Sequence, residues 1–403
     1  MQHAQDERAN QACGPHPARF VTSHLVCSNL VRSNPLLILT GRCKRKAFHS
    51  ALLGRQAAII KEMSSTSPSR PPTPALIFET LNAYQRTGAL RAAIELDLFT
   101  AIADGNTTAK TIAARIQASE KGTRVLCDFL TVIGFLAKQG DNYSLLPDSA
   151  MFLNRHSPAY LGTATGFFGQ MERQLGATDG IAAAVRKGGT VLSDQGIMSP
   201  ENPIWVEFAR SMAPVLAMPA ALLAQKIIGS RPDKWKVLDI AAGHGLFGIS
   251  IAKQDPKAHI TALDWAPVLE VARENAAKAN VSDRFSTIAG NALEVDLGSG
   301  YDIVVIANFL QLLDVKSIDS LMRKVHAALK PGGGAITLGF IPNDDRVSPP
   351  GDANFGMIAL AFTAEGDAYT VGACERMFQN AGFSRSELLQ LAPSPQRVII
   401  SYK

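Results

Sequence analysis

The sequence predicts an α/β protein with a Rossmann-like sheet in its C-terminal half, preceded by a mainly helical domain. Residues 236–248 pass from an apolar strand through a glycine turn into a helix. Beyond them, strand-like and helix-like segments alternate, as a parallel sheet with helical crossovers requires. Two short segments at the C-terminus, residues 386–391 and 397–402, are joined by so few residues that they must pair as an antiparallel hairpin.

The glycine stretch reads K-V-L-D-I-A-A-G-H-G-L-F-G. Gly243, Gly245 and Gly248 suit a turn because glycine tolerates positive φ and lets a ligand lie against the main chain. The helix that follows should point free N–H groups at that ligand. Asp264 ends the next strand, where a carboxylate is placed to accept hydrogen bonds from ribose hydroxyls. The pattern therefore predicts a nucleoside site.

These glycines alone equally suit a dinucleotide dehydrogenase. Asp239 favours another ligand, because its carboxylate lies within the strand and is able to engage an amino group, directly or through water. Each carboxylate also has a structural alternative. Asp239 either binds a ligand or only caps the following turn, and Asp264 either binds a ribose or is an ordinary residue at a strand end.

Three segments together carry a family resemblance: V-L-D-I-A-A-G-H-G at 237–245, L-D-W at 263–265 and L-K-P-G-G at 329–333. They resemble the class I S-adenosylmethionine-dependent methyltransferases, and more narrowly the dimeric small-molecule O-methyltransferases of plants and bacteria. The likeness extends from about residue 71 to the C-terminus. It implies a seven-stranded sheet with an antiparallel last strand, S-adenosylmethionine as cofactor and a homodimer.

The resemblance also implies the cofactor contacts. The family usually has a Gly-Asp pair near the adenine, and here Asn291 replaces the acid, keeping both a donor and an acceptor. Simple packing over the loop is an equal alternative for Trp265. The implied cofactor-binding residues are Asp239, Gly243, Gly245, Asp264, Trp265, Asn291, Ala292 and Asn308.

The catalytic positions depart from the family. The plant enzymes place a histidine base just after the fourth strand, whereas this chain has Gln311 there, and glutamine is no base at physiological pH. Gln311 either orients a substrate oxygen or satisfies the strand end. A second family acid corresponds to Ala368. The catalytic candidates are therefore Gln311, Asp345, Asp367 and Tyr369, and His244 is expected to point away from the acceptor.

Residues 205–212, W-V-E-F-A-R-S-M, resemble the segment that lines the acceptor pocket in this family. Phe208 and Met212 are accordingly the candidates for the substrate wall, although aromatic and methionine residues at helical spacing also form ordinary core. The implied acceptor is a small hydroxylated aromatic or polyketide-like metabolite. C- or N-methylation, or a reaction without methyl transfer, stays an alternative.

Four regions are predicted: a disordered or non-native extension (1–70), a winged-helix dimerisation domain (71–165), a helical connector lining the substrate pocket (166–230) and the cofactor-binding catalytic domain (231–403). Residues 1–62 carry nine basic against three acidic side chains. Met63 is the expected effective start, and a targeting or nucleic-acid-binding tail is the alternative.

Helices are predicted at 75–88, 89–96, 98–103, 108–116 and 121–133, followed by a hairpin at 135–145, which together spell a winged helix. Such a module is able to bind DNA, so a non-enzymatic regulator is a further hypothesis. Residues 71–160 contain eight basic and eight acidic side chains. DNA binding depends on neutralising phosphates, so this balance predicts no nucleic-acid partner. The family resemblance implies that the same module is a dimerisation domain.

Composition gives the remaining limits. The chain has 403 residues, 46% of them hydrophobic and 19% charged, enough for two globular domains. Its longest apolar segment, 215–229, is interrupted by Pro219, Gln225 and Lys226, which predicts no membrane span. The five cysteines show no paired spacing. We therefore expect a cytoplasmic protein without a metal site.

Overall fold

The computed structural model describes residues 72–176, 180–192, 196–198, 202–228 and 234–403. The predicted extension over residues 1–70 lies outside the described residues. Every candidate site residue belongs to one compact unit, Ile77–Lys403.

The N-terminal domain has the helix-and-hairpin arrangement of a winged helix. Leu98, Phe99, Ile112, Leu130 and Tyr143 form its apolar core and are almost fully buried. Its elements are α1 (Ala75–Leu81), α2 (Ala83–Glu95), α3 (Leu98–Ala103), α4 (Ala109–Arg115), α5 (Glu120–Val132), β1 (Leu136–Gln139), β2 (Asn142–Leu145) and α6 (Pro147–Phe152).

The predicted helix at 108–116 and the hairpin are confirmed. Thr108 caps α4 by accepting the N–H of Thr111 at 3.2 Å, and β1 pairs antiparallel with β2. The predicted break at Gly88 is wrong, because α2 runs through this glycine without interruption. The chain breaks instead at Asn82, whose Nδ2 donates to the carbonyl of Phe78 at 2.9 Å. An interior glycine weakens a helix but does not end it.

The connector is helical, as predicted, in its described parts. Its helices are α7 (Thr165–Gly176), α8 (Gly180–Lys187), α9 (Ile204–Ser211) and α10 (Ala213–Ile227). Arg210 links α9 to the catalytic domain through an ion pair, in which its guanidinium donates to both carboxylate oxygens of Glu274 at 3.0 Å. In the described ranges no single helix is long and apolar enough to cross a bilayer. Helices α9 and α10 meet this length and composition only when taken together, and they are bent by 67° relative to each other.

The catalytic domain contains the predicted seven-stranded sheet. Its strands are β3 (Trp235–Ile240), β4 (Ala258–Asp264), β5 (Phe285–Ala289), β6 (Tyr301–Ala307), β7 (Leu329–Gly339), β8 (Arg385–Gln390) and β9 (Arg397–Tyr402), in the order β5-β4-β3-β6-β7-β9-β8. All neighbours pair in parallel except β9, which is antiparallel to both β7 and β8. The predicted fold class is therefore confirmed.

Helices cover the sheet and connect its strands. They are α11 (Leu246–Gln254), α12 (Ala266–Lys278), α13 (Val315–Ala328), α14 (Pro350–Ala353), α15 (Phe355–Phe362) and α16 (Val371–Asn380). The sequence pattern predicts this helix from residue 318, but α13 begins at Val315, because Asp314 caps it by accepting the N–H of Ser317 at 2.9 Å. Strand β7 begins at Leu329, whereas the sequence pattern predicts its start at residue 334.

The parallel strands β3 to β7 place their carboxyl ends at one edge of the sheet, where ligands bind in open α/β folds. Strand β9 begins at this same edge, because Arg397 pairs with Gly339, the last residue of β7. The predicted domain boundaries at residues 71, 166 and 231 stay a prediction.

Candidate functional site

The glycine turn after β3 has the backbone that the sequence predicts. Gly243 and Gly245 have φ of +57° and +73°, and Gly245 immediately precedes α11. Ala241 also adopts a positive φ, +53°, which the sequence pattern did not reveal. Gly248 has a packing function instead, since a Cβ there would lie 2.5 Å from the Cγ2 of Ile260 in β4. The third glycine thus permits close helix-to-strand packing.

Asp239 is fully buried below this turn. Its Oδ2 accepts the N–H of Gly248 at 3.0 Å, so it does cap the first turn of α11. Its Oδ1 is also buried and has no hydrogen-bond partner among the described residues. Burial raises the pKa of Asp239 to about 7, and nearby Asp264 acts in the same direction. An unpaired carboxylate oxygen of this kind is suited to a donor from a ligand, such as an ammonium group.

Asp264 holds the turn from the end of β4. Its Oδ2 accepts the N–H of Gly243 at 2.8 Å, and its Oδ1 accepts the N–H of Trp265 at 2.7 Å. Burial raises the pKa of Asp264 to about 6 although both N–H bonds lower it. Each carboxylate oxygen accepts more than one hydrogen bond. The carboxylate can therefore fix the loop and still accept from a hydroxyl.

His244 lies buried inside the turn. Its Nδ1 accepts the N–H of Leu246 at 3.1 Å, which places the proton of the neutral ring on Nε2. That Nε2 is buried and has no partner among the described residues. Burial lowers the pKa of His244 to about 4, so the imidazole is neutral at pH 7.

The two residues predicted to line the substrate pocket lie in one apolar cluster beside this turn. Phe208, on α9, stacks on His244 with ring centroids 6.3 Å apart and an interplanar angle of 17°. A Cβ on Gly243 would also touch the Phe208 ring, at 3.7 Å. Phe208 packs edge-on against Phe167 at 5.1 Å, and Met212 is buried in the same cluster. Helix α9 therefore brings an aromatic surface against the glycine turn.

The residues predicted near the adenine follow β4 and β5. Asn291 uses both ends of its amide within its own turn: Oδ1 accepts the N–H of Leu293 at 3.0 Å, and Nδ2 donates to Glu294 at 2.9 Å. Ala292 is buried in the main core of the domain. Trp265 is half-buried against Val268 and Val271 of α12. We call this side of the sheet, with Asp239, Gly243, His244, Asp264 and Asn291, the loop edge.

A different group of side chains follows β6 and β7. Asn308 has φ of +55°, and its Oδ1 accepts from Nε2 of Gln396 at 2.6 Å. Gln311 is buried, and its Nε2 has no partner among the described residues. Its amide lies over Gly339, where a Cβ would come within 2.0 Å of Nε2. Gln396 is buried too, with an unpaired Oε1. We call Asn308, Gln311 and Gln396 the amide edge.

The sequence interpretation missed Gln396. The available signal was the predicted terminal hairpin, because the residue before β9 must lie at the carboxyl end of β7. It missed the free Nε2 of His244 for a different reason. Which ring nitrogen the backbone occupies becomes visible only when the turn is built.

The three remaining catalytic candidates, Asp345, Asp367 and Tyr369, form hydrogen bonds or ion pairs with other parts of the protein. Asp345 is exposed and accepts from the N–H groups of Val347 and Ser348, and the hydrogen bonds with Ser348 hold its pKa below its usual range. Asp367 forms an ion pair with Arg346 at 3.0 Å. Tyr369 donates its hydroxyl to the carbonyl of Leu313 at 2.6 Å, and burial holds its pKa well above its usual value. In the described ranges, no three His, Cys, Asp or Glu side chains are placed to hold a metal ion.

Comparison with known proteins agrees with this geometry. A family model described as a methyltransferase domain matches residues 237–333, and one described as an O-methyltransferase dimerisation domain matches residues 78–155. The chain is 48% identical to a candidate O-methyltransferase from Nostoc punctiforme of known crystal structure, covering 83% of this chain and 100% of that one with a TM-score of 0.78. The chain belongs to the S-adenosylmethionine-dependent O-methyltransferase family.

Two further relatives of this methyltransferase are more distant. The 3-hydroxy-5-methyl-1-naphthoate 3-O-methyltransferase of Streptomyces sahachiroi is 26% identical over 84% of this chain and 98% of that protein. The L-tyrosine C(3)-methyltransferase of Streptomyces lavendulae is 24% identical over 78% of this chain and 88% of that protein. The methyltransferase thus has relatives named for transfer to oxygen and to carbon.

The loop edge of the methyltransferase fits its cofactor. S-adenosylmethionine carries an ammonium group, which the unpaired Oδ1 of Asp239 suits. Its ribose hydroxyls suit the remaining acceptor capacity of Asp264, and Gly243 and Gly245 leave the backbone open to a ligand. The dinucleotide alternative does not apply, because the cofactor of this methyltransferase family is S-adenosylmethionine.

Proposed function

We propose that this methyltransferase methylates an oxygen of a small hydroxylated aromatic or polyketide-like metabolite. The observation that carries the proposal is the stacking of Phe208 on His244, which places an aromatic surface directly against the cofactor turn. A flat apolar acceptor bound on that surface would lie next to the cofactor. The naphthoate specificity in the name of the Streptomyces sahachiroi relative supports an acceptor of this shape.

We assign the residues as the sequence predicts. Asp239 and Asp264 would hold the amino group and the ribose, Asn291 and Ala292 would border the adenine, and Phe208 and Met212 would form the acceptor wall. Trp265, Gly243, Gly245 and Asn308 complete the proposed cofactor surface. When bound, the cofactor supplies an electrophilic methyl carbon on a positively charged sulfur.

The chain's own contribution to transfer is then alignment and exclusion of water. Holding two reactants in line supplies much of the rate of a displacement reaction. Gln311, a buried neutral donor at the amide edge, is suited to orient the acceptor oxygen. A base role for Asp345, Asp367 or Tyr369 stays a prediction, and their present contacts argue against it.

The experiment is incubation with methyl-labelled S-adenosylmethionine and a panel of phenols, hydroxynaphthoates and aromatic amino acids. We expect label in an aryl methyl ether, identified by the chemical shift of the methyl carbon. Transfer to a ring carbon would replace this proposal with C-methylation, which the name of the second Streptomyces relative favours as the other candidate.

We also propose a homodimer that acts in the cytoplasm. Val125 and Val132 are exposed on one side of α5, beside a groove of about 510 Å³ lined by Ala89, Leu126 and Phe129. Exposed apolar patches of this kind mark protein interfaces. Cys127 and Cys374 are free thiols, which supports a reducing compartment. Light scattering after gel filtration should give twice the monomer mass, and a monomer with full activity would contradict the dimer.

A further inference from the structure

Two side chains accept hydrogen bonds from N–H groups in the first turn of α11, and each also has one buried polar atom without a partner among the described residues. Asp239 accepts the N–H of Gly248 through Oδ2, and its Oδ1 stays free. His244 accepts the N–H of Leu246 through Nδ1, and its Nε2 stays free. Both side chains are at least 98% buried. A buried polar atom without a partner is costly, so two such atoms around one turn indicate a ligand that satisfies both.

The two free atoms have opposite hydrogen-bonding character. Oδ1 of the ionised Asp239 carboxylate is an acceptor. Nε2 of His244 is a donor, because the N–H of Leu246 occupies Nδ1 and fixes the tautomer. One acceptor and one donor around a helix N-terminus match an α-amino acid group, whose ammonium donates and whose carboxylate accepts. The N-terminus of α11 also favours the carboxylate electrostatically.

The surroundings keep the imidazole in this state. Phe208 and Phe247 lie near-parallel and tilted to the ring, respectively, with centroids 6.3 Å and 6.1 Å from it. Asn275 donates from Nδ2 to the carbonyl of His244 at 2.9 Å, which ties the turn to α12. Burial also keeps the ring neutral, with a pKa of about 4. The donor is therefore present throughout the range from pH 6 to pH 8.

We propose that His244 is a cofactor-binding residue that donates its Nε2–H to the carboxylate of the cofactor's amino-acid end, opposite the amino group held by Asp239. The proposal rests on the cofactor residues assigned above. It adds a contact that the sequence did not predict, since His244 was expected only to point away from the acceptor.

The test is calorimetric binding of three probes that differ in the amino-acid end. S-adenosylhomocysteine carries both charged groups, its decarboxylated analogue carries only the amine, and 5′-methylthioadenosine carries neither. The wild type should bind S-adenosylhomocysteine at least about 10-fold more tightly than the decarboxylated analogue. In His244→Phe, which keeps an aromatic ring against Phe208, affinity for S-adenosylhomocysteine should fall about 10- to 100-fold while affinity for the analogue stays within about 2-fold.

His244→Gln should restore part of the lost affinity, because its amide returns an N–H donor. Asp239→Asn is the matched control: it should weaken both amine-containing probes and leave 5′-methylthioadenosine unchanged. Equal loss for all three probes in His244→Phe would show a structural role and overturn the proposal. Unchanged cofactor affinity with a raised KM for the acceptor would overturn it in favour of an acceptor contact.

The wild type alone decides the question if His244→Phe does not fold, since equal affinity for S-adenosylhomocysteine and its decarboxylated analogue overturns the proposal. If the protein does not methylate an oxygen, the result differs from the one that overturns the role of His244. In that case the probes still bind with the expected ranking, but no label reaches an oxygen acceptor.

Discussion

The loop edge and the amide edge use opposite chemistry. At the loop edge, Asp239 and Asp264 are buried carboxylates whose pKa values are raised to about 7 and about 6. At the amide edge, Asn308, Gln311 and Gln396 carry no charge, and Gln396 and Gln311 each keep a buried polar atom unpaired. On the proposed assignment of residues, the buried carboxylates serve the cofactor, whereas recognition of the acceptor depends on neutral hydrogen bonds and aromatic surface.

Gly248→Ala tests the packing below the loop edge and should have the largest effect. Its Cβ would lie 2.5 Å from Cγ2 of Ile260 and 3.2 Å from Oδ2 of Asp239, so α11 must move away from β4. Overpacking of this kind should lower the free energy of unfolding by about 3 kcal/mol, measured by denaturant titration. Gly88→Ala, with nothing within 4 Å of the new Cβ, is the control and should be neutral or slightly stabilising. Equal stability of both variants would refute the packing role.

Asp264→Ala should separate the two edges by function. It removes the acceptor of the Gly243 and Trp265 N–H groups together with the proposed ribose contact. Affinity for S-adenosylmethionine should fall about 10- to 100-fold, the range expected for hydrogen bonds to a charged group. Gln311→Ala is the control, and its affinity for S-adenosylmethionine should stay within about 2-fold of that of the wild type. Fluorescence titration measures the affinity of both variants. An equal loss of affinity in both variants would contradict the functional difference between the two edges.

The raised pKa of Asp239 predicts pH dependence at the loop edge alone. In the free protein this carboxyl is largely protonated below about pH 7, whereas the cofactor's ammonium requires the ionised form. Cofactor affinity should therefore fall by up to about tenfold per pH unit as the pH drops below 7. Asp264, with a pKa of about 6, adds in the same direction. Titrations from pH 5.5 to 8.5 measure the slope, which should flatten in Asp239→Asn.

Folding stability should respond with the opposite sign. The folded pKa of Asp239 lies above the value near 4 expected in the unfolded chain, so the folded state binds the proton more tightly. Its contribution therefore favours folding at low pH and is lost as the pH rises from about 4 to about 7. Asp239→Asn should remove this loss, and a wild-type contribution that grows over that range would contradict the assignment.

Gly339→Ala tests the amide edge and should have the smallest effect. The new Cβ would come 2.0 Å from Nε2 of Gln311 and push this flexible side chain aside. We expect kcat/KM for the acceptor to fall about 3- to 10-fold, an amount equivalent to one neutral hydrogen bond, with cofactor affinity unchanged. Gly351→Ala, which meets nothing within 4 Å, is the control in the same steady-state assay. A loss of cofactor affinity instead would contradict the division between the edges.

The loop edge could be predicted from sequence because its geometry is local. Glycines at Gly243 and Gly245 permit the positive φ that the turn requires, and Asp264 follows at a spacing fixed by one helix and one strand. The parallel sheet and its antiparallel end followed from the alternation and from the short link before β9, whereas the order of the strands appears only in the structure.

The amide edge could not be predicted in the same way, because tertiary contacts create it. Asn308 and Gln396 are 88 residues apart and meet only when β9 inserts beside β7. Nothing local marks Tyr369 as a buried donor to Leu313 either, and this contact decides its chemistry. The start of α13 is a different case. Asp314 is a local N-cap signal for this helix, but the sequence prediction did not use it.

The central claim is that the proposed cofactor surface, formed by the loop edge together with Asn308, binds a sulfonium nucleoside without a contribution from Gln311. Calorimetric titration of the wild type and of Gln311→Ala with S-adenosylmethionine, and separately with NAD, tests it most directly. We predict one S-adenosylmethionine bound per chain with the same affinity in both proteins and no heat with NAD. Binding of NAD, or loss of S-adenosylmethionine binding in Gln311→Ala, would contradict the claim.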